Sequence, residues 1–255
     1  MNLTFLGTGT SQGVPVIGCE CEVCKSEDLR DNRLRTSAMI ELNGTTLVFD
    51  TGPDFRQQML REDVTNVNAV LYTHEHKDHV AGLDDVRAFN FKTKRDVPIY
   101  CTENVYAALK LEYKYIFDER YTYPGIPKIE VNIIENKPFK IGDVEVLPVQ
   151  VWHYKLPVFG YRINDVAYIT DANRIDGAEK EKLKGLKILV VNALRKEEHI
   201  SHFNLEQAIA LATELQPEQV FFTHMSHLMG KHASIIADLP PNMSLAYDGL
   251  QLTIR

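Results

Sequence analysis

Thr73-His-Glu-His-Lys-Asp-His79 sets three imidazoles and one carboxylate of metal-binding type within six residues, His74 to His79. The preceding Asn68-Ala-Val-Leu-Tyr72 is mostly apolar with β-formers, the pattern of a buried strand. The cluster therefore falls where a strand runs into a loop and then a helix. At an extended strand end, residues two apart point the same way, so His74 and His76 can share one metal ion. Asp78 and His79 lie past the turn and can face a second ion. Four such groups cannot saturate two ions, so further ligands are needed downstream. His153, Asp171 and His224, each in or just after an apolar run, are the candidates. Five histidines and two aspartates of this kind suit a two-metal hydrolytic site. Taken singly, His153 or His224 reads more readily as a solvated or hydrogen-bonded loop residue than as a ligand. Burying the whole cluster without metal would leave costly unpaired polar atoms.

A second set is built on sulfur. Cys19, Cys21 and Cys24 form a C-x-C-x-x-C run, too tightly spaced for disulfides without distant partners and suited to thiolates converging on one zinc. A dithiol redox pair is the rival reading. Three thiolates leave one tetrahedral position, and His227, three residues after His224 in Thr223-His-Met-Ser-His227, is the expected fourth ligand. Cys101, after Val97-Pro-Ile-Tyr100, reads as a small buried hydrophobe on a strand.

These residues need strands to deliver them. Leu3 to Leu6, Ser37 to Leu42, Thr46 to Asp50, Ala69 to Thr73 and Ile99 to Thr102 read as strands, with Asn43-Gly44 turning a hairpin. Pro53 to Arg61, Gly82 to Phe91 and Asn104 to about Leu111 read as helices. Further strands are Val131 to Glu135, Val144 to Val151, Phe159 to Ile163, Val166 to Thr170, Ile188 to Asn192 and Gln219 to Thr223. Asn204, with Gln207 three residues on, marks a capped helix that stops before Pro217. Met243 to Tyr247 and Leu250 to Ile254 are strands flanking Asp248-Gly249. Strands, interposed helices, then strands again fit two packed sheets with helices outside, an α/β class. Asp50 ends an apolar run and reads as a partner for a ligand histidine or, equally, as a turn former.

With 255 residues, 44% hydrophobic and 25% charged, the chain fits one α/β domain over residues 1–255. A formal net charge of -7 gives no general electrostatic reason to seek nucleic acid. The start, Met1-Asn-Leu-Thr-Phe-Leu-Gly7, is too short and lacks the basic residues of a signal peptide, and no apolar run could span a membrane. A cytoplasmic enzyme with no membrane partner is expected. Tyr106 to Tyr123 is dense in aromatics and fits a lid, a homodimer contact or core packing alike. Gly7-Thr-Gly9-Thr-Ser-Gln-Gly13 only imitates a dinucleotide fingerprint, its third glycine coming one residue late.

The chain resembles the metallo-β-lactamase-fold hydrolases, whose H-x-H-x-D-H signature is met by His74, His76, Asp78 and His79. Phe5-Leu-Gly-Thr-Gly-Thr-Ser11, the cysteine run and Phe49-Asp-Thr-Gly-Pro-Asp-Phe-Arg-Gln-Gln58 are similar to one branch. So are Tyr168-Ile-Thr-Asp171 and Thr223-His-Met-Ser-His227. That branch is the cyclic phosphodiesterases typified by the phosphoribosyl 1,2-cyclic phosphate phosphodiesterase of phosphonate breakdown. The resemblance implies a four-layer αββα sandwich. It also implies that His74, His76 and His153 hold one metal, Asp78, His79 and His224 a second, with Asp171 bridging. Two manganese or zinc ions would then hold a hydroxide that attacks a small cyclic phosphate or nucleotide-like phosphodiester, with a structural zinc on Cys19, Cys21, Cys24 and His227. Asp78 and His202 are the expected catalytic residues. His202, in Ser201-His-Phe-Asn204, would act as general acid or transition-state donor, since an imidazole near its own pKa suits that task, with His199 as rival. His232 matches no motif and is expected at the surface. Thioester, lactone or tRNA 3′-end cleavage on the same site is the alternative, as is a non-catalytic binding protein of cofactor biosynthesis, because one fold hosts many chemistries.

Overall fold

In the computed structural model, which describes residues 1–255, contacts gather the chain into two compact units. The first comprises Met1–Leu6, Ser37–Glu135 and Gln251–Arg255, and the second Gly7–Thr36 and Asn136–Leu250.

Strands β1 (Asn2–Gly7), β2 (Ser37–Leu42), β3 (Thr45–Phe49), β4 (Ala69–Leu71), β5 (Val97–Cys101) and β6 (Ile129–Ile133) build the first unit's sheet. Asn43 and Gly44 take φ of 52° and 76°, the two positive values that a tight hairpin between right-twisted strands requires, and Leu42 pairs with Thr45 across it. From β3 to β6 neighbouring strands run parallel. Such strands are covered on both faces and read as unbroken apolar runs. Leu47, Val48, Phe49, Ala69, Val70 and Leu71 are accordingly all buried. Against them pack α1 (Phe55–Arg61), α3 (Arg87–Thr93) and α4 (Glu103–Glu112), through Phe55, Met59, Phe89, Val105 and Leu109. The short α2 (Lys77–Val80) and α5 (Lys114–Phe117) complete this unit.

In the second unit β7 (Phe139–Ile141), β8 (Val144–His153), β9 (Leu156–Ile163) and β10 (Val166–Ile169) form an antiparallel meander. The sheet then continues in parallel through β11 (Ile188–Asn192), β12 (Gln219–Thr223) and β13 (Met243–Leu245). Helices α6 (Gly177–Glu181), α7 (Leu205–Leu215) and α8 (His232–Ile236) belong here. In α7, Ala208, Leu211, Ala212 and Leu215 recur at helical spacing and enter the core of Val149, Val151, Leu189 and Val191. Its start is the expected capping box: Asn204 accepts from the Gln207 backbone, and Gln207 returns the bond. The chain ends in β14 (Gln251–Thr253), antiparallel to β1, so the strands flanking Asp248-Gly249 belong to different sheets.

Several expectations change, among them the strand read over Val131 to Glu135, which lies at Ile129–Ile133. The helix read over Gly82 to Phe91 is a 3-10 turn, Leu83–Val86, followed by α3. Gly82 donates to Thr51 O at 2.8 Å, and a Cβ there would run into the Gly52 carbonyl, so close backbone approach fixes this start. The helix read from Pro53 begins at Phe55. His232, expected at the surface, is 1% exposed. It sits on α8 with its backbone N–H on Asp31 Oδ1 at 2.8 Å and its ring edge-on to Tyr247. No helix is long and apolar enough to cross a membrane.

Candidate metal-binding sites

Metal-type side chains gather in each unit where parallel strands end, the edge at which loops from neighbouring strands converge. In the first unit, Asp50 follows β3, and Thr73, His74 and His76 follow β4. Asp78 and His79 open α2. Asp50 is buried, at φ 64°. Its Oδ1 accepts from Thr73 N at 2.8 Å, and its Oδ2 accepts from Thr73 Oγ1 at 2.8 Å and from His79 Nδ1 at 2.7 Å. Burial raises the Asp50 carboxyl, and the His79 ring and Thr73 donors pull it back. Because Thr73 gives its one hydroxyl proton to Asp50, the contact with His74 Nδ1 at 2.9 Å must be donated by the imidazole. His74 and His79 are thereby held with Nδ1 protonated and Nε2 bare, the ligand tautomer. His74 Nε2 stands 3.1 Å from His76 Nδ1, against about 3.3 Å for neighbouring nitrogens on a tetrahedral ion at about 2.0 Å. His79 Nε2 faces Asp78 Oδ2 at 3.3 Å. Asp50 thus bonds His79, a histidine of the expected ligand set.

The second unit gathers His153, Asp171, His202 and His224. His153 ends β8, Asp171 stands two residues past β10, and His224 directly follows β12. Asp171 and His224 take φ of 57° and 55°, a backbone state disfavoured for residues with a Cβ and found where the surroundings over-determine it. Asn192, at the end of β11, grips the chain beyond Asp171: its Oδ1 accepts from Ala172 N at 2.7 Å and its Nδ2 donates to Ala172 O at 2.9 Å. Thr170 Oγ1 donates to Asp171 Oδ2 at 2.6 Å. Asp171 Oδ1 lies 3.0 Å from His202 Nε2 and 3.2 Å from His224 Nε2. His153 Nδ1 donates to Ser201 O at 2.9 Å, which places the neutral ring's lone pair on Nε2. Ligand atoms of His153, Asp171 and His202 all lie within 4.8 Å of one another.

His202 is held at Nδ1 as well, 3.0 Å from Ser201 Oγ and 3.2 Å from His199 Nδ1. Burial pushes its imidazole down to about 4 against the pull of Asp171. The expectation that it would sit near its own pKa is therefore not met, and at neutral pH this ring is a neutral hydrogen-bonding group. His199 is also lowered by burial, and only His202 contacts the carboxylate.

The cysteine set lies within the second unit. His227 Nδ1 is 3.3, 3.4 and 3.6 Å from Sγ of Cys19, Cys21 and Cys24. Zinc–sulfur and zinc–nitrogen bonds of about 2.3 and 2.0 Å at a tetrahedral angle place sulfur and nitrogen about 3.5 Å apart. Four donors at these separations fit one zinc ion. Backbone donation from Cys24 N draws the Cys21 thiol down to about 6, and burial pushes Cys24 up to about 11. The loop carrying both His224 and His227 is braced by Arg33, fully buried and paired with Asp31 at 3.2 Å. Its guanidinium donates to Ser226 O at 3.0 Å and Gly230 O at 3.2 Å.

Thr73, Asn192, Arg33 and Ser201 were not singled out from sequence. Thr73 borders the histidine cluster and was the one within reach. Most of the aromatic stretch is packing: Tyr113 is buried, and Tyr106, Tyr115 and Phe117 lean on the core, while Tyr121 and Tyr123 stay exposed. Tyr113 donates to Val80 O at 2.9 Å and Glu112 pairs with Lys77, which fastens the end of α4 to the helix carrying Asp78 and His79, while Tyr115 of α5 bonds Asp84 in the 3-10 turn beyond it.

A profile described as the β-lactamase superfamily domain matches residues 45–225. A crystal structure described as a new diphosphatase from the PhnP family superposes with a TM-score of 0.93. It is 39% identical, over 100% of this chain and 98% of that one. An octanoyltransferase of Porphyromonas gingivalis is 39% identical over 257 residues, 100% of this chain and 52% of its own length. A ribonuclease Z of Methanopyrus kandleri is 30% identical over 165 residues, 63% of this chain and 49% of its own. The chain thus spans about half the length of these two curated relatives. The α/β fold expected from the histidine signature is borne out.

Proposed function

As this chain belongs to the β-lactamase superfamily, we propose that it is a metal-dependent phosphodiesterase acting on a small cyclic phosphate or nucleotide-like phosphodiester. The observation that carries this is the completeness of the donor sets. Every ligand-type residue of the motif is present, and His74, His79 and His153 each have Nδ1 tied to a partner that places the neutral ring's proton there and its lone pair on Nε2. The whole-length likeness to a PhnP-family diphosphatase supports phosphoester chemistry. His74, His76 and His153 would hold one divalent ion, and Asp78, His79 and His224 another, with Asp171 common to both. Cys19, Cys21, Cys24 and His227 would hold a structural zinc. The imidazole and carboxylate donors suit manganese or zinc. When bound, such a pair of ions supplies Lewis-acid charge for phosphoryl oxygens and an acidified water.

The chain's own residues position and protonate. Asp50 and Thr73 orient His79 and His74, and Ser201 O orients His153. Asp171 and Ser201 bond the His202 ring at its two nitrogens, and His202 would act as donor to the leaving oxygen by exchanging one of these contacts. Hydrolysis of bis(p-nitrophenyl) phosphate, cyclic nucleotides and cyclic ribose phosphates tests the reading, with Asp78→Ala as control. Turnover is expected in the wild type and abolished in the variant, with the fold intact by circular dichroism. Wild-type turnover in Asp78→Ala at unchanged metal content would show the cluster to be misread. Cleavage of acyl thioesters but not phosphodiesters would favour the acyl chemistry suggested by the octanoyltransferase relative.

A further inference from the structure

We propose that Asn192 is the positioning residue for Asp171, fixing through Ala172 the direction in which that carboxylate meets the metal ions. This rests on the metal-dependent reading above, in which Asp171 is a ligand. β10 and β11 pair in parallel as far as Ile169 and Val191. Asn192 is the last residue of β11, whereas the chain beyond β10 leaves the sheet and takes φ 57° at Asp171. There the side-chain amide of Asn192 replaces the lost ladder. It bonds both backbone groups of Ala172, N at 2.7 Å and O at 2.9 Å. Asn192 and Ala172 are both fully buried, so bulk water cannot take over these bonds.

The same node ties together the loops that carry the neighbouring histidines. Ala172 O also accepts from Phe203 N at 2.7 Å, one residue after His202. Leu194 N donates to Phe203 O at 3.0 Å, and Ala193 N donates to Thr223 O at 2.9 Å, one residue before His224. The end of β11 thus bonds the loops of Asp171, His202 and His224 while contributing no ligand itself. Asn173 makes a similar pair of bonds farther out, accepting from Tyr154 N at 2.9 Å and donating to Ile200 O at 2.8 Å. It is only half-buried, so water can substitute for its bonds in a way it cannot at Asn192. The left-handed backbone of Asp171 is disfavoured for a residue with a Cβ and persists only while its surroundings enforce it. Releasing Ala172 would let Asp171 relax toward extended φ. Its Oδ1 would then swing from its place 3.0 Å from His202 Nε2 and 3.2 Å from His224 Nε2.

Chelator competition on the metal-loaded protein tests this with metal release as the readout, independent of turnover. Asn192→Ala should release the histidine- and aspartate-held ions at about 10- to 100-fold lower chelator concentration than wild type, the usual cost of losing a group that orients a metal ligand. The cysteine-held ion should stay in place. Asn192→Asp should fall between the two. Its deficit against wild type should narrow from about pH 8 to about pH 6, because a carboxylic acid, unlike a carboxylate, can donate to Ala172 O. Leu215→Ala, a truncation in the core face of α7, controls for stability alone. It should lower the thermal midpoint yet hold its ions within about twofold of wild type. Equal ion loss in Leu215→Ala, or wild-type retention in Asn192→Ala with only a lower midpoint, overturns the positioning role. Should Asn192→Ala fail to fold, an Asn192→Asp deficit that does not change with pH overturns it as well. A wild type holding no ion beyond the cysteine-held one would overturn the metal-dependent reading itself.

Discussion

His202 has both ring nitrogens engaged, on Asp171 and on Ser201, and sits in a site too dry to keep it charged at neutral pH. Under the proposed function such a ring would supply one proton or hydrogen bond in the reaction rather than ligate a metal. His202→Ala should therefore retain the metal content of the wild type yet slow cleavage of diesters with a sugar alkoxide leaving group by about 10² to 10⁴. A nitrophenolate departs without a proton, so its release should suffer far less. Equal slowing of both would place His202 on the phosphoryl oxygens, and no slowing would move the role to His199. A different histidine governs acid stability. Buried His232 is pushed down to about 4 from 6.5 by desolvation, among Arg30, Arg33, Asp28 and Asp31. The unfolded chain binds this proton more readily than the folded one. Stability is therefore fully present above about 6.5, falls as pH drops through that window and levels off below about 4. The loss is about 3 kcal/mol at most. Thermal midpoints of wild type and His232→Gln between pH 7 and 4.5 should converge as pH falls, and parallel curves would show that His232 does not titrate there.

The cysteine run behaves as an element although it has almost no secondary structure. Its three thiols meet a histidine more than two hundred positions away. Arg33 then holds both sides of that histidine's loop. A metal there would close a long loop and contribute folding free energy. Cys21→Ser should lower the thermal midpoint by several degrees and reduce the activity per folded molecule by less. The reverse would assign the loop to catalysis. The run was legible because C-x-C-x-x-C leaves few readings, and β2, β11 and β12 were legible because continuous apolar runs with clear turn punctuation have one period. The helix over Gly82 to Phe91 was misjudged because its start is set by a backbone contact with Gly52 and Thr51, far away in sequence. Likewise α8 is five residues long and too short for a periodicity, so the burial of His232 was invisible. Asn173 and Asn192 carry no local signal either. Their role is to bond backbone brought near by the sheet, and only the fold creates that neighbourhood.

At the scale of the whole molecule the donor sets imply two populations of metal ion. Under the proposed function, thiolate and imidazole in Cys19, Cys21, Cys24 and His227 would make a closed tetrahedral set, while the histidine and aspartate donors would leave positions for water and substrate. Open coordination exchanges ligands readily, and a closed thiolate set does not. Protein purified without added metal should contain about three transition-metal ions per chain. A mild carboxylate chelator should remove about two, with loss of activity and a modest fall in thermal midpoint, because an ion that binds only the folded state stabilises it in proportion to the logarithm of its occupancy. The third should resist until thiols are modified, and its release should coincide with a much larger loss of stability. Elemental analysis along a dialysis series, paired with thermal melts at each step, follows the two populations separately. Fewer than one ion per chain at the start would refute the metal assignment as a whole. Simultaneous loss of all ions with the fold would instead mean that the two donor sets are not independent, and that the cysteine loop holds the catalytic histidines through the His224 to His227 segment.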